Sequence, residues 1–336
     1  MWNVVGHDSV INLLTQAVNT SRLAHSYLIT GPDHVGKTTL AIQLAAAVNC
    51  AEPDPPCNKC SQCARVQSNQ HSDINLLSVN EEIGHKSIGI EEVQEAARQC
   101  YLKPFEGRNR VIIIENANQL SLEASNALLK ILEEPPPQLL LILIAPNPEA
   151  LLATITSRCQ RLNLRIVPEH QIAEALQIRW DTPKKDAEEL ARRSNGLPGR
   201  AIEARINPSI LQDQKQRLAE LIAIVSGTLE DRLESADNLS KSFVQNRSSV
   251  QETLELWALF WHGILMRKYG LRDTDVSDWS TLVTPFNPQS MTDRQVVYAI
   301  KKIMTTTEML NANVNPRLAL ESLLINLPYP PIDQQS

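Results

Sequence analysis

The segment GPDHVGKT, at residues 31–38, restricts the possible folds of this chain more than any other part of its sequence. It matches the pattern G-x-x-x-x-G-K-T in full. The apolar segment SYLIT (26–30) precedes it and predicts a strand, and an apolar-periodic helix follows from about Lys37 to Cys50. A strand, a glycine-rich turn and a helix in this order form a phosphate-binding loop, and a chance glycine-rich turn lacks this context.

Each position of this loop has a chemical role that predicts nucleotide binding. Gly31 and Gly36 let the backbone curl so that its N–H groups face phosphate oxygens at the N-terminus of the helix. Lys37 would reach the β- and γ-phosphates, and the hydroxyl of Thr38 would bind Mg²⁺. The predicted ligand is therefore ATP or ADP with Mg²⁺. The residues predicted to contact it are Gly31, Pro32, Val35, Gly36, Lys37, Thr38, Thr39 and Glu115.

Segments with the character of strands alternate with helical segments across the first half of the chain. The predicted strands after SYLIT are INLLSV (74–79), RVIII (110–114), LLLILI (139–144) and CQRLNL (159–164). This alternation predicts an α/β P-loop domain in which helices cover both faces of a parallel sheet. After Pro168 the apolar spacing is helical. We predict a nucleotide-binding domain at 1–166, a small helical lid at 167–207 and an all-helical C-terminal domain at 208–336.

The composition excludes several kinds of protein. With a formal net charge of −6 and 4% aromatic residues, the chain is a poor candidate for binding nucleic acid on its own. It contains no uninterrupted apolar run long enough to cross a membrane. The N-terminal stretch MWNVVGHDSV lacks the basic region and apolar run of a secretion signal, so we expect a cytoplasmic protein.

Four cysteines, Cys50, Cys57, Cys60 and Cys63, form the pattern C-x6-C-x2-C-x2-C. Disulfides are uncommon in the cytoplasm, and tandem C-x2-C spacing is typical of a structural zinc site with four thiolate ligands. Such a site has no open position for water, so it would act as a scaffold for residues 50–63. A set of incidental thiols is the alternative. Cys100 and Cys159 stand apart, and we interpret both as core residues.

These motifs occur in the same order in a known family. GPDHVGKT, the four cysteines, NALLKILEEPP (126–136) and SRC (157–159) together resemble the bacterial clamp-loader subunits of DNA polymerase III, which belong to the AAA+ class. The resemblance covers nearly the whole chain. It implies a subunit of a five-membered ring that contains tau/gamma and delta subunits, opens the sliding clamp and places it on primed DNA. It also implies that the helical C-terminal domains form a collar.

Arg158, in the SRC motif, has a specific role by this resemblance. In the family this arginine projects into the ATP site of the neighbouring subunit and stabilises charge on the γ-phosphate, as a catalytic finger in trans. A guanidinium on a turn offers a planar fork that suits phosphate oxygens. The alternative is a surface arginine in a local salt bridge, a kind of contact that contributes little stability.

The strand end that supports ATP hydrolysis in this family is altered. In VIIIENANQL (111–120), Glu115 stands where the family has an Asp that helps to hold Mg²⁺, and Asn116 stands where it has the catalytic Glu. The longer Glu115 can still reach Mg²⁺, through a water molecule. An amide cannot accept a proton at neutral pH, so Asn116 cannot act as a general base.

Two sensor positions differ from the family as well. Pro146 lies in the first sensor region without a polar side chain, and whether Asn147 takes over that role is open. In NGLPGRA (195–201), Gly199 fills the position of the second-sensor arginine by spacing, and Arg200 comes one residue late. These changes favour the delta prime branch of the family, which donates its finger, and we expect weak or no hydrolysis. A tau/gamma-type motor and a different AAA+ loader are the alternatives.

Overall fold

The computed structural model describes residues 2–79, 87–207, 209–269, 291–312 and 314–329. The chain divides into two compact units, Met1–Ile202 and Glu203–Ser336. The three-domain division expected from the sequence stays a prediction. Among the described residues, no helix combines the length and the apolar character that crossing a membrane requires.

A five-stranded parallel sheet forms the centre of the first unit, with the order β2-β3-β4-β1-β5. Its strands are β1 (Ser26–Thr30), β2 (Ile74–Leu77), β3 (Arg110–Ile114), β4 (Leu139–Ala145) and β5 (Gln160–Asn163). The parallel register pairs Tyr27 of β1 with Ile142 of β4 and with Gln160 of β5. The carboxyl ends of these strands therefore lie at one edge of the sheet. Open α/β sheets bind ligands at this edge, where the strand order reverses.

Helices cover both faces of this sheet. They are α1 (Asp8–Asn19), α2 (Lys37–Asn49), α3 (Ser61–Gln67), α4 (Ile90–Cys100), α5 (Leu122–Glu133) and α6 (Ala153–Thr156). After the last strand come α7 (Glu169–Trp180), α8 (Lys184–Arg193) and α9 (Pro198–Ile206). Successive side chains of a strand point to opposite faces. Tyr27 and Ile29 share a core with α1 and α2, whereas Leu28 packs with α4 and α5. The α/β fold predicted from the sequence is confirmed.

The helices after the sheet enclose a small core of their own. Ile172 and Leu176 of α7 pack with alanines of α8 and with Ala201 of α9. Val5, from the N-terminal segment, and Val167, which follows the last strand, complete this core. The N-terminal segment therefore lies against the region that the sequence predicted to be a lid.

The described part of the second unit is helical. Its helices are α10 (Ser209–Ser226), α11 (Leu229–Gln245), α12 (Arg247–Lys268), α13 (Asp293–Asn311) and α14 (Pro316–Asn326). Trp257, Phe260 and Trp261 of α12 lie fully buried in its core. Pro316 opens α14 and Asn315 caps it, as proline at this position predicted. The helical C-terminal region predicted from the apolar spacing is confirmed.

A buried arginine ties together the ends of two helices in this unit. The guanidinium of Arg232, on α11, donates hydrogen bonds to the carbonyls of Val225 in α10 and of Leu324 and Leu327 at the end of α14. The ring of Tyr329 stacks on it, with 3.6 Å between Cζ and the ring centroid. Carbonyls at helix C-termini have no partner within the helix, so the cation satisfies them and complements the helix dipoles.

Residues 51–63 are rich in proline and cysteine, a composition that predicts no regular element, and the structure differs from this prediction. The helix α3 begins at Ser61, inside this segment. The side chain of Cys60 accepts a hydrogen bond from the N–H of Cys63 and caps the helix. Cysteine is not among the usual capping residues, so no capping signal in the sequence marks this helix start.

We expect Arg232→Met to lower the free energy of unfolding of the helical unit by about 3 kcal/mol, because buried carbonyls lose their hydrogen-bond donor. Urea unfolding followed by tryptophan fluorescence measures this loss, since Trp257 and Trp261 lie in the same core. Arg317→Met is the control: the side chain of Arg317 is 63% exposed and pairs with Glu321 on the surface. It should cost less than about 1 kcal/mol. Equal losses for the two variants contradict the assigned role of Arg232.

Candidate functional site

The phosphate loop connects the carboxyl end of β1 to α2, at the ligand-binding edge of the sheet. Gly31 has a φ of +146°, and a Cβ built on it would lie 2.4 Å from the carbonyl oxygen of Leu164. Only glycine fits there. Gly36, with a φ of +106°, precedes α2, whose first N–H groups have no partner within the helix. This backbone shape suits an anion.

Lys37 is folded back onto this loop. Its ammonium group donates hydrogen bonds to the carbonyls of Gly31 (2.8 Å) and Pro32 (2.9 Å) and to Oδ1 of Asp33 (2.8 Å). Lys37 is only 8% exposed, whereas the side chain of Asp33 is 77% exposed. An ammonium has three N–H donors, so these acceptors engage all of them. A phosphate that binds Lys37 must displace at least one.

The other residues predicted to contact nucleotide surround the loop. Val35 is buried, and its carbonyl lies 3.1 Å from Nε2 of His7. Burial lowers the pKa of His7 and outweighs the opposing effect of this hydrogen bond, so the neutral ring donates through Nε2. Thr38 is half-buried, and Pro32 and Thr39 are exposed. The structure therefore brings the predicted loop residues together at one edge of the sheet.

Glu115 and Asn116 follow β3 at the same edge of the sheet. Glu115 is half-buried, and its N–H donates to the carbonyl of Leu77 at 2.8 Å. Asn116 is exposed and has a φ of 49°, a left-handed conformation that Asn adopts more readily than Glu. The left-handed backbone at this position therefore favours Asn over Glu on conformational grounds alone.

Asn147, in the first sensor region beside Pro146, uses its side-chain oxygen in local structure. Its Oδ1 accepts the N–H of Ala150 at 2.9 Å and caps a short 3₁₀ helix (Pro148–Ala150). The carbonyl of Pro146 accepts the N–H of Gly31 at 3.2 Å. The oxygens of both residues are thus engaged in local structure.

Gly199, at the second-sensor position, brings α9 into contact with the phosphate loop. Its N–H donates to the carbonyl of His34 at 2.8 Å. A Cβ on Gly199 would lie 2.8 Å from that oxygen and 3.0 Å from the His34 Cβ. A side chain at this position would displace the loop. Position 199 therefore cannot supply an arginine to a phosphate in this arrangement.

Arg158 lies at the opposite edge of the sheet from the phosphate loop. Its carbonyl accepts a hydrogen bond, at 2.8 Å, from Oγ of Ser26 at the start of β1. The loop follows Thr30 at the other end of that strand, about 16 Å away. The guanidinium donates to Oε1 of Glu133 (2.8 Å) and to the carbonyl of Thr154 (2.9 Å), and the Arg158 side chain is 37% exposed. Arg158 is therefore not part of this chain's own phosphate site.

The four cysteines predicted to bind zinc come together at the far end of α2. The sulfurs of Cys50, Cys57, Cys60 and Cys63 all lie within 4.8 Å of one another, and all four thiols are free. Zinc bound to thiolates at about 2.3 Å in a tetrahedron separates the sulfurs by about 3.8 Å. The Cys57 and Cys63 sulfurs are 3.9 Å apart, so this cluster could hold a zinc ion.

The surroundings of the cluster favour at least one thiolate. Burial raises the pKa of the Cys60 thiol, but hydrogen bonds from the backbone of Ala51 and Cys63 and from neighbouring thiols outweigh it and bring the pKa to about 6. Burial raises the pKa of the Cys50 and Cys63 thiols. The N–H of Cys60 also donates to the sulfur of Cys57 at 3.2 Å. Such N–H donors stabilise thiolate ligands.

Residues next to these cysteines hold the loop at 101–109. Asn49 precedes Cys50, and its Oδ1 accepts the N–H groups of Arg108 and Asn109, both at 2.8 Å. Gln62 precedes Cys63 and donates to the carbonyl of Glu106 at 3.3 Å. The cysteine cluster and the 101–109 loop are thus joined by hydrogen bonds.

Asp73 holds the same loop from the strand side. Its buried carboxylate accepts the N–H groups of Phe105, Glu106 and Gly107 at 2.7–2.8 Å. Burial raises the pKa of Asp73, but these hydrogen bonds outweigh it and lower the pKa below its ordinary value. The carboxylate therefore stays ionised, and the loop is held as one hydrogen-bonded unit.

Sequence reasoning missed several of these residues. The pairing of Asp33 with Lys37 had a signal, because an acid four residues before a lysine at a helix start is well placed to pair with it. Asn49, Gln62 and Asp73 had none, since they bond to residues 32 to 60 positions away in the sequence. The zinc prediction named the ligands but not the residues that tie them to the sheet.

Comparison with known proteins identifies similar chains. A family model described as DNA polymerase III, delta subunit, matches residues 6–168. The DNA polymerase III subunit delta' of Bacillus subtilis (strain 168) is 27% identical over 320 residues, which are 95% of this chain and 95% of that protein. The tau subunit of the same organism is 33% identical over 189 residues, which are 56% of this chain but 33% of tau.

Among solved structures, a DNA polymerase III gamma subunit-related protein from Thermotoga maritima is 18% identical. The alignment covers 94% of this chain and 97% of that chain, with a TM-score of 0.48. The fold described above rests on the sheet order and not on this likeness. The sequence comparisons confirm the predicted resemblance to subunits of DNA polymerase III.

We expect Gly199→Ala to lower the free energy of unfolding of the first unit by about 1 kcal/mol as a net effect. The steric cost must therefore exceed the gain of up to about 1 kcal/mol that alanine brings to a helix over glycine. The added methyl group would lie 2.8 Å from the His34 carbonyl oxygen, so either α9 or the phosphate loop must move. Thermal unfolding of the full chain measures the change. A variant as stable as the wild type, or more so, contradicts the close contact.

We predict that the purified chain contains zinc and that a strong chelator loosens the 101–109 loop. The amides of Arg108 and Asn109 should exchange hydrogen faster after zinc removal, because their acceptor Asn49 adjoins Cys50. Metal analysis and hydrogen-exchange mass spectrometry measure the two effects. Cys60→Ser should lose the metal, and the control Cys159→Ala should keep it. A metal-free chain with an unchanged exchange pattern contradicts the prediction.

Proposed function

We propose that this chain is a clamp-loader subunit of the delta prime type, which takes part in ATP-dependent loading of the sliding clamp onto primed DNA during replication. The resemblance to delta' and tau subunits of DNA polymerase III supports a clamp-loader role. The match to delta' extends over 95% of both chains, whereas the match to tau covers 56% of this chain and 33% of tau. The delta prime assignment follows this difference.

The position of Arg158 is the observation on which the proposed mechanism depends. It lies at the edge of the sheet opposite the chain's own phosphate loop, and its guanidinium reaches the surface. An arginine so placed can act on a nucleotide only if another subunit supplies that nucleotide. The surface ion pair with Glu133 contributes at most about 1 kcal/mol, so a phosphate can replace the carboxylate. Arg158 then acts as a finger in trans.

The chain's own site binds ATP or ADP with Mg²⁺ and hydrolyses it weakly or not at all. The phosphate loop supports binding, with Gly31, Pro32, Val35, Gly36, Lys37, Thr38 and Thr39 around the phosphates and Glu115 near the metal. Weak hydrolysis is supported by Asn116, which cannot accept a proton. Bound nucleotide would stabilise the first unit through binding linkage.

The proposed partners follow from the same role. They are tau/gamma and delta subunits in a five-membered ring, the sliding clamp, and primed DNA through the assembled complex. The helical unit would serve as a collar for assembly, and the four-cysteine cluster would hold a structural zinc ion. A chain with these partners works in the cytoplasm.

A tau/gamma-type motor is the second candidate, because the Bacillus subtilis tau subunit matches 56% of the chain at 33% identity, against 27% for delta'. The motor requires a working general base after β3. The variant Asn116→Glu distinguishes the two candidates. If the chain is already a competent motor, the variant should not hydrolyse ATP faster than the wild type. A higher rate of hydrolysis would show that the native site lacks only this base. A different AAA+ loader without a clamp has less support, since the similar proteins named above are subunits of DNA polymerase III.

We expect clamp loaders reassembled with Arg158→Ala to lose ATP turnover at the neighbouring site by roughly 10³-fold, the typical effect of removing a finger. Single-turnover hydrolysis by the assembled ring measures this, after gel filtration shows equal assembly. Arg158→Lys should recover little, because an ammonium lacks the planar fork. Arg161→Ala, at an exposed position on β5, is the matched control and should leave turnover unchanged. Unchanged turnover with Arg158→Ala refutes the finger role.

A further inference from the structure

We propose that Asp33 makes the phosphate loop of this chain select nucleoside diphosphate over nucleoside triphosphate. The proposal rests on the nucleotide binding proposed above and specifies which nucleotide the site holds. Two observations carry it: the ion pair between Asp33 and Lys37, and the contact of Gly199 with His34. Both lie where the terminal phosphate of a bound nucleotide would be recognised.

The first observation concerns charge. The segment 31–38 contains one lysine and one aspartate, so with histidine counted as neutral its side chains carry no net charge. Lys37 is held by Asp33 at 2.8 Å. Two acceptors on one tetrahedral ammonium lie only about 4.5 Å apart, so a phosphate oxygen that shares Lys37 meets the carboxylate at close range. At that separation like charges repel.

The backbone of the loop treats the inner phosphates differently. The N–H groups at the start of α2 and in the loop after Gly31 can bind the α- and β-phosphates without any help from a side chain. Asp33 holds the ammonium of Lys37 and uses none of these amide donors. A diphosphate therefore keeps these backbone contacts although its β-phosphate shares Lys37 with Asp33, and a triphosphate adds a further charged group beside the carboxylate.

The second observation removes the usual compensation for a γ-phosphate. Position 199 has no side chain, and its N–H is engaged by the carbonyl of His34. The Cβ position is 2.8 Å from that oxygen, so no cation can be placed there without moving the loop. The γ-phosphate thus meets repulsion from Asp33 with no cation at position 199 to offset it.

Titration calorimetry with the full chain, using ADP and ATP each with Mg²⁺ at low salt, tests the proposal. We expect ADP to bind more tightly than ATP. Asp33→Asn should reduce the ratio of the ATP to the ADP dissociation constant about tenfold, the effect of one nearby like charge. Affinity for ADP should change less than about threefold, because the backbone contacts stay. Asp186→Asn, an exposed carboxylate on α8, is the control and should change neither constant.

Salt provides a second readout. Asp33 is 77% exposed, so its repulsion should weaken as ionic strength rises and the Debye length falls to about 3 Å at 1 M. The preference of the wild type for ADP over ATP should therefore decrease as salt is added. Any preference that remains in Asp33→Asn should not change with salt. A preference that is independent of salt in both proteins overturns the electrostatic assignment.

Three other results overturn the proposal. If the ratio of the ATP to the ADP dissociation constant is the same in the wild type and in Asp33→Asn, the carboxylate does not select the nucleotide. Weaker binding of ATP with Mg²⁺ by Asp33→Asn reassigns Asp33 as a metal ligand. Failure of both proteins to bind either nucleotide overturns this inference together with the nucleotide-binding part of the proposed function. The finger role of Arg158 is tested in the assembled ring, so its outcome is independent of these binding measurements.

Discussion

The parallel pairing of β1 with β4 and β5 fixes where the functional groups of the first unit lie. Because the strands run in one direction, the phosphate loop, Glu115 and Pro146 all follow carboxyl ends and share one edge of the sheet. Arg158 precedes β5 and lies with Ser26 at the other edge. The same pairing of strands thus brings the phosphate-loop site together and places Arg158 at the other end of the strands. The proposed role of Arg158 in trans depends on this separation.

The helix α2 links two sites of different chemistry. Its N-terminus begins at Lys37 in the phosphate loop, and about 20 Å further on Asn49 leads into the cysteine cluster. Residues 50–63 are rich in proline and polar groups and cannot build an apolar core, so the cluster holds them instead. Hydrogen bonds from Asn49 and Gln62 connect this segment to the 101–109 loop. The segment that contains the cysteine cluster therefore supports the amino-end edge of the sheet.

The features that separate this site from an ATP-hydrolysing one have a common physical character. Each replaces a group that would act on a γ-phosphate by a group that serves local structure. Asn116 occupies a left-handed backbone position, and Asn147 caps a 3₁₀ helix. Gly199 closes on the His34 carbonyl, and Asp33 occupies Lys37. Such groups fit the proposed function, in which the site would hold a nucleotide without cleaving it.

The sequence alone determined the elements and the ligand types, because these depend on local patterns. Apolar runs located the strands, GPDHVGKT specified a phosphate loop, and cysteine spacing named the four thiols. Only the tertiary structure decided which groups meet. The exclusion of Arg158 from the local site, the contact of Gly199 with His34, and the bonds of Asn49 and Asp73 to the 101–109 loop join distant segments. No local pattern encodes such contacts, since they arise when the sheet and its helices pack and buried polar groups must find partners.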